Sequence, residues 1–276
     1  MLIGLVGKCL RGLTANKSAF REAGALLKMS PMPEAAARER LQAYVVSTSW
    51  EVRNVAVKLI ARLEDPSLYP ILLQKVRNGT DVGIITRNSI AAIRRLRLRT
   101  PEVEDALRRA LSHRYWEVRC EAARALSELF EPSPPRTDLL VSLLHFLASG
   151  KNSRVIGEKN FEVRAAVAVA LGRSGEPEAS LPVLEALAGD PHWLVRHQAA
   201  VALVEMSGRN GDAAPRAAAA LDRIDVLGDG CRSDFPFPRM VASLRKLILN
   251  GVADTEPAHV RKHYINMQRG WNGKKG

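Results

Sequence analysis

Between positions 87 and 119 the chain carries nine arginines and four acids, and this density is where its residues could first do chemistry. Arg94, Arg95, Arg97 and Arg99 crowd one short stretch, Arg108, Arg109 and Arg114 follow, and Arg87 and Arg124 border them. A guanidinium is a planar fork of donors that matches phosphate and carboxylate alike, so the chemistry on offer is anion binding. Phosphate contacts would give affinity without sequence specificity. The plainer reading is a solvated helix face with cations gathered near a helix C-terminus. Lys58 and Arg62 could extend the patch along neighbouring helices.

Other reactive constellations are sparse. His259 and His263 are spaced for one helix face, but the segment HVRKH lacks the Glu of a zinc protease and a third ligand. Neither Gly7-Lys8 nor Gly150-Lys151 follows a Gly-rich turn at phosphate-loop spacing. Cys9, Cys120 and Cys231 form no metal-binding pair and suggest a reducing compartment. His192 and His197 flank a repeated motif and read as exposed or capping. No catalytic residue, cofactor or metal site is therefore expected. With 41 Lys plus Arg against 29 Asp plus Glu, the net charge of +12 favours acidic partners, nucleic acid or an anionic surface. No apolar run approaches the roughly 20 residues of a membrane span, and the expectation is a cytoplasmic protein.

The elements that must position these residues are repeated. Trp50-Glu51-Val52-Arg53, Trp116-Glu117-Val118-Arg119, Phe161-Glu162-Val163-Arg164 and Trp193-Leu194-Val195-Arg196 each open an apolar stripe at helical spacing. Degenerate copies centre on Arg87 and on Phe237-Pro238-Arg239, which leaves a unit of 32 to 34 residues interrupted by two insertions. Each unit has room for two helices, and earlier helices are predicted over Pro70 to Val76, Pro101 to Leu111, Asp138 to Ala148 and Ser180 to Ala188. The reading is an all-α solenoid of about six two-helix repeats over residues 34–250, with insertions near 131–160 and 207–238. An N-terminal cap or linker, 1–33, precedes it, and a basic tail, 251–276, follows. Arginines and aromatics recurring at one repeat position are expected to pack and bond between units. The uncharged stretches 165–171 and 199–204 are either buried or form an apolar groove for a helix.

The stretch VRAAVAVALGRSGEPEASLPVLEALAGDPHWLVRHQAAVALVEM resembles the HEAT repeat, in particular the variety seen in bilin-lyase-type proteins. That resemblance implies a ladder of polar contacts using an acid six positions before the Arg, a place held by Asp81, Asp190 and Glu158 and departed from at Ser47, His113 and Ser233. It also implies a non-catalytic scaffold whose curved surface and Arg-rich patch engage an acidic or helical protein segment. The alternatives it suggests are nucleic-acid binding, as in HEAT-like alkylpurine DNA glycosylases, and a bilin lyase-type subunit. No residue of either activity transfers. Deoxyhypusine hydroxylase, built from similar repeats, requires His-Glu metal pairs, and the chain contains no His-Glu dipeptide.

Overall fold

The computed structural model describes residues 16–79, 81–131, 134–145, 158–174, 176–209 and 211–226. Among them all regular structure is helical. A first helix, α1, runs over 16–28. It is followed by α2 (Glu34–Val45), α3 (Trp50–Leu63), α4 (Tyr69–Asn78), α5 (Gly83–Arg95), α6 (Pro101–Ala110) and α7 (Trp116–Leu129). Then come α8 (Pro134–His145), α9 (Phe161–Ser174), α10 (Pro177–Ala188), α11 (Trp193–Arg209) and α12 (Ala214–Val226). The protein is thus an all-α solenoid of two-helix repeats. It divides into two compact units, one ending at Ala125 and the other beginning at Leu126.

The four-residue motifs start helices for local reasons. In α3 the Ser49 hydroxyl accepts from the Val52 N–H at 3.3 Å, which satisfies one of the unpaired donors of the first turn. Thr100 does the same for α6 through the Val103 N–H, with Pro101 at the position where a missing N–H costs nothing. Gly79 stops α4 with a φ of 55°, a left-handed turn that glycine adopts without strain. From Val52 onward the stripe Val55, Ala56, Leu59, Ile60 and Leu63 is buried. Each such large aliphatic side chain contributes about 1.5–3 kcal/mol by leaving water.

Within the first unit α2 packs on α3 and α4 on α5, while α3 meets α5 and α4 meets α6. Leading helices of successive pairs thus form one layer and following helices the other. The second unit repeats the scheme, with α9 against α11, α8 and α12 against α10, and α10 against α11. The α9–α11 interface is so close that a Cβ on Gly172 would lie 2.6 Å from both Cα and Cβ of Ala202. Small residues on both helices permit this approach. Consequently 165–171 and 199–204 are core: every residue in these two stretches is buried except the half-buried Val169. The groove alternative fails there.

One boundary differs from expectation: the helix predicted over Asp138 to Ala148 is α8, which begins at Pro134. A helix, α1, lies within the segment read as an N-terminal cap or linker, and α12 lies within the second insertion. The copy at Arg239, the basic tail, Cys9, Cys231, His259 and His263 lie outside the described residues.

Candidate functional site

The repeated arginines serve the fold. In Arg53, Arg119, Arg164 and Arg196 the Nη1 group donates to the backbone carbonyls six and five residues earlier. The partners are Ser47 and Thr48, His113 and Arg114, Glu158 and Lys159, and Asp190 and Pro191, at 2.7–3.2 Å. In Arg164 and Arg53 the remaining edge of the guanidinium reaches the next repeat. Arg164 donates from Nε and Nη2 to the two carboxylate oxygens of Asp190 at 2.7 and 3.0 Å, and Arg53 grips Asp81 in the same way. The forks of Arg53 and Arg164 therefore each tie a turn to its own helix and to the next repeat. Burial alone would raise the Asp81 pKa, but hydrogen bonds from Arg53 and Lys75 outweigh it and hold the carboxyl below its usual range. Because the contacts at the preceding turn are made to carbonyls, Ser47 and His113 interrupt the carboxylate ladder without interrupting the arginine one. Arg87 departs from the pattern and donates instead to Asn88 at 3.0 Å, which itself bonds Asn54 of the preceding repeat at 2.7 Å.

The aromatics at this repeat position divide. Phe161 stacks on His192 of the next repeat, ring centroids 3.7 Å apart, and His192 in turn lies against Trp193. Trp116 is half-buried, whereas Trp50 is 43% exposed. His192 caps through Nδ1, which accepts from the Leu194 N–H. Burial pushes its pKa below the ordinary value. His197, expected to be exposed or capping, is fully buried in α11, and desolvation lowers its pKa to about 3.

The arginine-rich stretch does not form one surface. Arg94 donates to the buried carboxylate of Glu121 at 2.9 Å, and Arg124 stands 3.8 Å from the same group. Arg108 and Arg109 pair one helical turn back with Glu104 and Asp105. Arg62 closes the C-terminal end of α1 by bonding the carbonyls of Leu27 and Met29. Arg114 lies over the Tyr115 ring, 4.7 Å from its centroid. Arg109 stands in the last turn of α6 and Arg114 beyond it, so most of that helix separates them from Arg99. From Pro101 to Arg109 the helix rises about 12 Å at 1.5 Å per residue. What remains together is Arg95, Arg97 and Arg99 at the junction of α5 and α6, all exposed. Among the described residues Arg95 makes only a long pair with exposed Glu64, at 3.7 Å. The side chains of Arg97 and Arg99 have no ion pair among the described residues.

The backbone at that junction is unusual. Leu98 N–H bonds the Ile93 carbonyl and Arg97 N–H bonds that of Arg94, which is the paired closure of a helix whose next residue turns left-handed. That residue is Arg97, with φ 56°. Glycine is favoured at such a place, and a residue with a Cβ costs about 1 kcal/mol or more. The chain holds an arginine there at the expense of stability.

Among the described residues no group of His, Cys, Asp or Glu is placed to hold a metal, and no helix is long and apolar enough to cross a membrane. No curated protein matches the chain. Residues 153–226 match the family model of HEAT repeats. That stretch is similar to HEAT repeats, and the arginine contacts to the preceding turn recur outside it at Arg53 and Arg119.

Proposed function

We propose that the chain is a non-catalytic binding scaffold that engages an acidic segment of a partner protein through Arg95, Arg97 and Arg99. The observation that supports this most is the contrast between cations. Those at the repeat position are bonded to carbonyls and carboxylates of the fold, whereas these three stay exposed, one of them in a backbone conformation that disfavours arginine. Exposed Lys58 on α3 adds charge of the same sign. Guanidinium forks suit carboxylate pairs, and the net charge of +12 attracts acidic segments over distances limited by the screening length, about 8 Å at physiological salt. The bilin-lyase-type variety of repeat rests on the packing signature alone and contributes no bilin-handling residue.

The test is fluorescence anisotropy with a labelled acidic peptide rich in Glu, using the wild type and Arg97→Gln/Arg99→Gln. Removing two forks should weaken binding at least tenfold with an unchanged melting temperature. Equal affinities would remove the cluster from the binding surface.

A further inference from the structure

The opposite ends of these helices carry a second feature. Seven large hydrophobic residues are conspicuously exposed among the described ones, and Val46, Trp50, Val82, Ile84 and Tyr115 occupy three successive turns of the first unit. Those turns form one continuous edge. Arg53 ties the turn before α3 to Asp81 in the turn before α5, and Tyr115, in the turn before α7, seats against Gly83. A Cβ on Gly83 would fall 2.5 Å from Tyr115 Cδ2, so only glycine lets the ring lie there. Between the first and second turns is a cleft of about 400 Å³ lined in part by Val45, Val46, Arg53, Lys75 and Asp81. Between the second and third is one of about 260 Å³ lined by Val82, Gly83, Ile84, Tyr115 and Glu117.

Local energetics mark the middle turn as built for something other than stability. Val82 stands at the N-cap of α5 without a side-chain hydrogen bond, where Ser49 and Thr100 cap their own helices. Valine is among the poorest residues for that position. Exposed Ile84 follows two residues later.

We propose that this edge docks one amphipathic helix of a partner protein, a reading that rests on the scaffold role and names a second contact surface for it. Spacing selects a helix. Neighbouring packed helices lie about 8–10 Å apart, and seven residues of a helix advance about 10.5 Å, so residues seven apart on one face enter the two clefts. An extended strand repeats a face about every 6.6 Å and falls out of step. Charge sets the direction. The first cleft holds Arg53 and Lys75 on the single carboxylate of Asp81, a net positive charge, and the second is lined by Glu117, with Arg114 lying over its Tyr115 ring. The negative end of a helix dipole therefore belongs over Lys75, and the positive N-terminal end beside Glu117.

The probe is a display library of 21-residue helices whose apolar anchors stand seven residues apart, mixed with helices whose anchors stand five apart and so face different sides. Full-length protein should enrich the first class. The enriched helix should lose at least tenfold in affinity against Val82→Ser/Ile84→Glu, and none against Arg97→Gln/Arg99→Gln. The edge variant should melt no lower than wild type, since both changes suit a helix start. A photocrosslinker on the N-terminal end of the helix should label the Tyr115 turn. Enrichment of both classes alike, or of neither, overturns the proposal. Binding that survives the edge variant and fails in the arginine variant overturns this edge while leaving the scaffold reading standing. Self-association of the protein that the edge variant abolishes would assign the surface to a second copy instead.

Discussion

Replacing Asp190 by Asn strikes the most enclosed of the arginine contacts and should destabilise the second unit by about 3–5 kcal/mol, the cost of leaving a buried charge unpaired. The Arg164 side chain is 11% exposed and that of Asp190 3%, so water cannot replace the lost carboxylate. Arg164 would keep its bonds to the carbonyls of Glu158 and Lys159 but lose the charge that neutralises it. An asparagine can still accept from the His192 N–H, which Asp190 now bonds at 2.8 Å, so the change isolates the charge from the turn. Asp190→Ala should cost about 1 kcal/mol more by removing that acceptor too. Replacing both partners, Arg164→Met with Asp190→Leu, should restore most of the loss, because two apolar side chains need no pairing. Urea unfolding followed by circular dichroism measures all four proteins. A loss below about 1 kcal/mol for Asp190→Asn, or a double variant worse than the single one, would refute the argument that this pair is a desolvated structural contact.

Two further changes probe the core. Gly172→Ala ought to gain up to about 1 kcal/mol from helix propensity, yet the added methyl meets backbone as well as side chain of Ala202. Overpacking of this kind costs about 1–3 kcal/mol, so the urea midpoint should fall, and a rise would mean that α9 and α11 lie farther apart than described. His197 supplies a pH dependence. Its pKa is depressed on folding, so the unfolded chain takes up a proton first. The stability it contributes is present above the ordinary value near 6.5 and is lost as pH falls towards about 3. His197→Gln should flatten the decline of the urea midpoint between pH 6.5 and 4.5, and parallel declines would contradict the burial.

The repeat was legible because Trp50, Trp116, Phe161 and Trp193 begin helices for reasons carried within a few residues: a cap, an aromatic, a β-branched residue and an arginine. The resemblance to HEAT repeats implied polar contacts at Asp81, and its partner proves to be Arg53 of the preceding repeat. Arg94 and Glu121 lie 27 residues apart with no repeated pattern to join them, so their pairing depends on tertiary register. Arginines adjacent in sequence suggested one patch, and the length of α6 divides it. Because proline breaks helices, the helix over Asp138 to Ala148 was expected to start after Pro134 and Pro135, whereas in a first helical turn the missing N–H costs nothing, and α8 begins there. The burial of His197 had a signal that a single motif conceals. The residue after each repeated arginine is Asn54, Asn88, Cys120, Ala165 and His197, and the last three are all buried. Arg97 gave no hint of its left-handed backbone, since arginine is not a residue from which such a turn is expected.

The scaffold reading is tested most directly by titrating the protein with the labelled acidic peptide and, in parallel, with single-stranded and duplex DNA and RNA at about 50 and 200 mM salt, where phosphate contacts reveal themselves through steep salt dependence. The account predicts that the peptide binds, loses affinity with Arg97→Gln/Arg99→Gln, and outcompetes the nucleic acids at the higher salt. Submicromolar nucleic-acid binding that collapses between the two salts and disappears with the same two arginines, beside a peptide that does not bind, would contradict it.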